Sequence, residues 1–116
     1  MKKKLQPSFT TELTLQQIGQ NIRTARLRRG ETESMLADSL GVARATIARL
    51  ERGDGGVSAA LLLEALGHYG FGAQLEALGD PDADGVGKRL DAQRRPERGS
   101  RRRAGGSTHR VDPRLL

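Results

Sequence analysis

The sequence predicts a mainly α-helical domain of four to five helices, followed by a short strand and a basic tail. Three observations predict it. Apolar residues recur at helical spacing through residues 14–69, glycines end these stretches, and apolar residues become scarce after residue 79. Hydrophobic residues make up only 35% of the 116, so the core must be small and a dimer would help to stabilise it.

The first predicted helix begins at a Thr14 cap, runs for about 15 residues and ends at Gly30. Its apolar stripe consists of Leu15, Ile18, Ile22 and Ala25. Pro7 and the neighbouring Ser and Thr residues argue against helix in residues 1–12, which we expect to be a flexible N-terminus. The folded domain is predicted to span residues 13–79.

Two short helices come next, joined by a tight turn. The second predicted helix is capped by Thr32 and reaches Leu40; the third runs from about Ala43 to Arg52. Gly41 supplies a turn residue that tolerates positive φ. The residues expected to face inward are Met35, Leu36, Ala37, Leu40, Ile47 and Leu50. This spacing is typical of a helix-turn-helix, which places its second helix in the DNA major groove.

The outer face of the third helix would carry Arg44, Ala45, Ala48 and Arg49. We predict base contacts from Arg44 and Arg49, because arginine forms bidentate hydrogen bonds with guanine, and from the Ala45 methyl group against thymine. Phosphate contacts would position the protein without specifying sequence. The positions predicted for them are Thr32, Glu33, Ala43, Thr46 and Arg52.

A fourth helix is expected from a Ser58 cap to about Tyr69. After Gly70, apolar and polar residues alternate, which favours a short strand over residues 71–77 rather than a fifth short helix. A lone strand needs a partner, most simply its copy in a second subunit. The expected dimerisation residues are Phe71, Ala73, Leu75 and Ala77.

The composition changes at Asp80. Residues 80–116 have a net charge of +4 and few apolar side chains, whereas residues 1–79 have a net charge of +2. We therefore expect a mostly disordered basic tail. Val86 and Leu90 are spaced i, i+4, which allows a transient helix near residues 84–95. The basic run at 94–103 is interpreted as a phosphate-binding arm, a toxin-docking segment or a solvated tail without a partner.

Residues 19–69 resemble the Xre/Cro-type helix-turn-helix of phage repressors and bacterial regulators, on the segments IGQNIRTARLRRG, LADSLGVARATIARLERG and VSAALLLEALGHYG. The resemblance implies a lambda-repressor-like domain and an ion pair between Arg26 and Glu51. Two positions depart from the family pattern. Glu33 stands where a phosphate-binding glutamine is common, and Ala43 stands where Ser or Thr often caps the third helix. Both departures predict weaker DNA binding by one subunit.

The segment VSAALLLEALGHYGFGAQLEAL resembles HipB-like antitoxins, in which a strand after the fourth helix pairs across a dimer. This resemblance implies a repressor that binds a palindromic operator as a homodimer and holds a HipA-like kinase toxin inactive. Its recognition helices would lie about 34–36 Å apart. Two alternatives remain open. One is a free-standing Xre-type regulator, and the other is a toxin-neutralising interaction protein with weak DNA binding.

The composition of the chain also indicates which partners and which other classes of function to expect. A net charge of +6 suits a polyanionic partner, which double-stranded DNA provides. The chain has no cysteine and no long apolar stretch, so we expect no thiolate metal site, no membrane contact and a cytoplasmic, nucleoid-associated bacterial protein. Neither His68 nor the GDGG segment at 53–56 has the companions of a metal or phosphate site. We expect no enzyme activity and no cofactor.

Overall fold

The structure, a computed structural model, describes residues 3–94. The described residues divide into two units, the first ending at Ala77 and the second beginning at Leu78. The helices are α1 (Phe9–Arg28), α2 (Glu33–Leu40), α3 (Arg44–Arg52), α4 (Ala59–His68), α5 (Gly72–Glu76) and α6 (Gly85–Arg94), with a 3₁₀ turn at Pro81–Ala83. Residues 3–94 contain no strand, and none of their helices is both long and apolar enough to span a bilayer.

Helix α1 begins earlier than predicted. Ser8, not Thr14, is its N-cap, and the Ser8 hydroxyl accepts a hydrogen bond from the Thr11 N–H at 3.1 Å. Thr14 lies inside the helix, where its hydroxyl donates to the Thr10 carbonyl at 3.0 Å. Pro7 precedes the cap, so its missing N–H costs no helical hydrogen bond. The prediction of a flexible segment through residue 12 is therefore wrong from Phe9 onward.

Helices α2 and α3 form the expected corner. The Thr32 hydroxyl accepts from the Met35 N–H at 3.1 Å, and the Met35 sulfur accepts from the Thr32 N–H at 3.5 Å. Gly41 ends α2 in the left-handed region with φ of 72°, a conformation that a side chain would strain. Met35 is half exposed because its sulfur closes this cap, so its predicted inward position is wrong.

The core of the first unit lies where α3 packs against α1 and α2, with α4 packed on α2. As predicted, it is small. It consists of aliphatic side chains and one buried aromatic ring. The buried hydrophobic residues are Ile22, Ala25, Leu36, Ala37, Ile47, Leu50, Leu61, Ala65 and Tyr69. On α4, Leu61 is buried, whereas its neighbour Leu62 is only partly buried.

The strand predicted at residues 71–77 is wrong. Residues 72–76 form α5, whose first and last bonds run from the Leu75 N–H to the Phe71 carbonyl at 3.2 Å and from the Ala77 N–H to the Gln74 carbonyl at 3.3 Å. These local bonds satisfy the backbone without a partner strand, which removes the reason to expect pairing across a dimer. The helix packs on α4, and the alternative of a fifth short helix describes this segment.

The sequence predicted a mostly disordered tail from Asp80. In the part of this segment that the structure describes, up to Arg94, the chain instead forms a turn and a helix. The Asp80 carboxylate accepts from the Asp82 N–H at 3.0 Å and starts the 3₁₀ turn. The Asp84 carboxylate accepts from the Gly87 N–H at 2.8 Å at the start of α6. Such side-chain bonds favour a helix start, and α6 occupies the place of the helix that the sequence allowed. Apart from Arg94, the basic run at 94–103 lies outside the residues that the structure describes.

Candidate nucleic-acid interface

Helix α3 is fixed on the corner by its apolar side. Ile47 and Leu50 are fully or almost fully buried, as is Ala37 of α2. The Val42 N–H donates to the Ala37 carbonyl at 3.0 Å, which closes the turn. Arg44 and Ala45 are exposed, while Ala48, Arg49 and Thr46 are half-buried. The predicted reading face is therefore turned away from the core.

Arg44, predicted to contact bases, lies beside Glu33, predicted at a phosphate position. The Arg44 Nη1 and Glu33 Oε1 atoms are 3.2 Å apart, and the Arg44 side chain is 61% exposed. An exposed pair of this kind contributes little to stability, about 0–1 kcal/mol. Its consequence is electrostatic, since a carboxylate stands at the N-terminus of α2 and offsets the charge of a neighbouring arginine.

Arg49 also has an acidic partner, which the sequence analysis missed. The Arg49 Nε–H donates to the Asp54 Oδ2 at 2.8 Å. The Arg49 hydrogen bond is the main cause that holds the pKa of Asp54 below its usual range, and the Gly56 N–H adds to it. The same contact with Asp54 raises the pKa of Arg49. An acidic residue two positions beyond the end of α3 was the available sequence signal.

Beneath the reading face, the structure brings together Arg26 of α1 and Glu51 of α3. Two hydrogen bonds join them, from Arg26 Nε to Glu51 Oε2 at 2.7 Å and from Nη2 to Oε1 at 2.9 Å. Arg26 Nη1 donates to the Glu31 carbonyl at 2.7 Å. The hydrogen bonding of Arg26 to the Glu51 carboxylate raises the pKa of Arg26 despite burial. Helix α3 is thereby tied to α1 and to the loop before α2.

Tyr69 extends this arrangement to the end of α4. Its hydroxyl donates to the Glu31 carboxylate at 2.7 Å, and the Arg29 guanidinium lies 4.9 Å from its ring centroid. Burial, reinforced by the Glu31 contact, raises the pKa of Tyr69. Cation–π contacts and a hydrogen bond to a carboxylate together anchor the Tyr69 side chain.

The predicted phosphate positions are spread over two places. Thr32 is exposed but its hydroxyl caps α2, and Ala43 is the N-cap of α3 with no side-chain hydrogen bond. Arg52 lines an open groove of about 570 Å³ together with Glu33, another of the predicted positions. The residues lining this groove are Gln16, Gln20, Arg23, Glu33, Ala48, Glu51 and Arg52.

The α1 side of the groove is polar and was not predicted. Gln16, Gln20 and Arg23 follow the i, i+4, i+7 spacing that places residues on one helix face, which was the signal for it. Amide and guanidinium groups are suitable donors for phosphate oxygens. Among residues 3–94, no three His, Cys, Asp or Glu side chains come together in a way that could hold a metal ion.

Two short helices joined at a glycine turn, with the second held by its apolar side and presenting arginines outward, define a helix-turn-helix unit. A family model described as a helix-turn-helix domain matches residues 17–78, more than half of the chain. The chain therefore belongs to the helix-turn-helix domain family. The match extends from α1 through α5. No curated protein and no solved structure matched the chain.

Proposed function

We propose that this protein is a sequence-specific DNA-binding transcription regulator, acting in the bacterial cytoplasm as a repressor. The observation that carries the proposal is the outward face of α3, where Arg44 and Arg49 are at least 40% exposed on a helix held rigidly from behind. Rigid placement matters because a misplaced donor cannot form the bidentate pair with guanine O6 and N7. The Ala45 methyl would lie against thymine.

The groove beside α3 supports a phosphate-binding role. Arg23 and Arg52 would approach the phosphates that flank the major groove, and Gln16 and Gln20 would donate to their oxygens. The net charge of +6 adds a favourable field for a duplex. Thr46 and the backbone N–H groups at the start of α3, next to Ala43, would complete these contacts.

We further propose a homodimer that reads a palindrome. One α3 presents too few base contacts for high specificity, and two copies about 34–36 Å apart would reach successive major grooves. With α5 helical, the contact would form from exposed apolar side chains rather than from paired strands. Leu63 is 46% exposed and Phe71 is 36% exposed. Sedimentation at increasing protein concentration, with Phe71→Glu as the disrupting variant, measures this directly.

An antitoxin role with a HipA-like kinase is the narrower proposal. It rests on the resemblance of the segment from Val57 to Leu78, part of which is helical rather than extended. A pull-down with the product of the adjacent gene tests it. Capture of a kinase-like protein would support the role, whereas a neighbour that does not bind leaves the free-standing regulator as the function. A toxin-neutralising protein would bind its neighbour and show no preference among DNA sequences.

The DNA-reading proposal is tested by selecting binding sites from a randomised duplex pool. Arg44→Ala and Arg49→Ala should each relax one base position, at a cost of roughly 1–3 kcal/mol. Arg28→Ala is the matched control, because residue 28 is about 200° around α1 from Arg26, which meets α3. The control should select the same sequence as the native protein. Unaltered selection by both test variants would refute the assigned reading face.

A further inference from the structure

Asp54 is held in place on both of its carboxylate oxygens. Helix α3 ends at Arg52, and its C-cap Gly53 turns the chain with a φ of 82°. The Asp54 N–H then donates to the Arg49 carbonyl at 3.0 Å. One carboxylate oxygen accepts from Arg49 Nε at 2.8 Å. The other accepts from the Gly56 N–H at 2.7 Å. The carboxylate is therefore fixed by backbone and side-chain donors together.

The same loop restricts the Arg49 guanidinium. A Cβ added at Gly56 would lie 3.0 Å from Arg49 Nη2, so the loop backbone lies directly beside the group. Asp54 engages the guanidinium at Nε, so this hydrogen bond does not use the edge formed by the two terminal amino groups. That edge is a planar fork of N–H donors, the part of arginine that forms a bidentate pair with guanine.

Neither stability nor DNA affinity explains this contact. The side chains are 43% and 37% exposed, and an ion pair at that exposure contributes little to stability. A carboxylate beside the DNA would also repel phosphates and weaken binding to every duplex. The remaining effect concerns orientation. The contact with Asp54 restricts the long, flexible Arg49 side chain, with its five N–H donors, to one orientation before DNA binds.

We propose that Asp54 is a positioning residue for base recognition, holding Arg49 so that its terminal amino groups read a guanine. The proposal rests on the proposed function, in which Arg49 faces the duplex. It assigns to the loop after α3 a share in sequence specificity, although Asp54 itself contacts no base. Arg44 differs, since its partner Glu33 holds it through a terminal nitrogen at 3.2 Å and occupies part of the fork.

The test is a double-mutant cycle on Asp54→Ala, Arg49→Ala and the combined variant. Affinity is measured for the selected duplex, for the duplex changed at the base pair that Arg49→Ala relaxes, and for a scrambled duplex. We expect Asp54→Ala to reduce discrimination at that base pair by about 5- to 30-fold, equivalent to one or two kcal/mol. Binding to the scrambled duplex should stay equal or tighten. The combined variant should discriminate no worse than Arg49→Ala alone.

Three outcomes would overturn the proposal: unchanged discrimination in Asp54→Ala, equal tightening on all duplexes, or losses that add in the combined variant. Equal tightening would mean that Asp54 competes with DNA for Arg49. Asp54→Asn retains one oxygen acceptor and should restore part of the discrimination, and thermal unfolding of each variant separates misfolding from lost positioning. If the native protein selected no sequence, the proposed function itself would fail, and this proposal with it.

Discussion

Arg26 and Glu51, 25 residues apart in the chain, form a two-bond ion pair in which the side chains are only 5% and 4% exposed. Removing one partner leaves the other charge buried. We expect Arg26→Met to lower the free energy of unfolding by about 3–5 kcal/mol, measured by urea denaturation. The paired variant Arg26→Met/Glu51→Leu should recover much of that loss. A double variant less stable than either single variant would contradict this.

Gly19 permits a close approach between α1 and α3. An added Cβ would lie 2.5 Å from the Glu51 carbonyl oxygen and 2.7 Å from that of Leu50, and both are backbone atoms. We expect Gly19→Ala to destabilise the domain by roughly 1–3 kcal/mol. Gly67→Ala is the control, because nothing lies within 4 Å of its added Cβ. Within α4 that change should stabilise by about 0.5–1 kcal/mol, seen as a higher Tm.

The uncapped start of α3 can be improved. Ala43 occupies the N-cap position with φ of −75° and ψ of 149°, the conformation that a capping serine adopts, but it offers no side-chain acceptor. We expect Ala43→Ser to raise the free energy of unfolding by ~1 kcal/mol. Thr32→Ala, which removes the existing cap of α2, should lower it by ~1 kcal/mol. If Ala43→Ser and Thr32→Ala changed the free energy of unfolding by the same amount in the same direction, capping would not determine the stability of these helices.

Alkaline unfolding should report on Tyr69, the single tyrosine of the chain. Burial and the Glu31 contact raise its pKa in the folded protein above the value of 10.0 of the unfolded chain. As the pH rises, the unfolded chain therefore releases the Tyr69 hydroxyl proton before the folded protein does. The stability that this hydroxyl contributes is complete below pH 10 and is lost as the pH rises above 10. Tyr69→Phe has no hydroxyl proton at this position, so it should not show this loss of stability. The stability difference between the two proteins should narrow from pH 9 to pH 11, measured by urea denaturation.

Glu33 should weaken DNA binding without specifying sequence. Its carboxylate lies at the N-terminus of α2 and pairs with Arg44. We expect Glu33→Gln to tighten binding to a scrambled duplex by about fivefold (~1 kcal/mol) at low salt, because one repulsion is removed and Arg44 is released. The gain should shrink as salt is added. Glu12→Gln makes the same charge change in the first turn of α1 and should have a smaller effect.

Local patterns were enough to predict the corner. The cap at Thr32, the left-handed turn at Gly41 and the apolar pair Ile47 and Leu50 depend on spacing between near neighbours, and each lies where the sequence placed it. The Arg26–Glu51 contact came from a family resemblance, since no spacing rule predicts a pair 25 residues apart. The segment from Phe71 to Ala77 was misjudged because a short alternation fits strand and helix alike.

The sequence by itself determined the order of the first four helices and the side of α3 that faces outward, because helical periodicity and capping are properties of neighbouring residues. Tertiary structure decided how each arginine on that side is held. Whether Arg44 pairs with Glu33, and whether Gly19 meets the backbone of α3, depends on how α2 and α3 cross and on how closely α1 packs against α3. Those are distances in space, which residue spacing along the chain does not set.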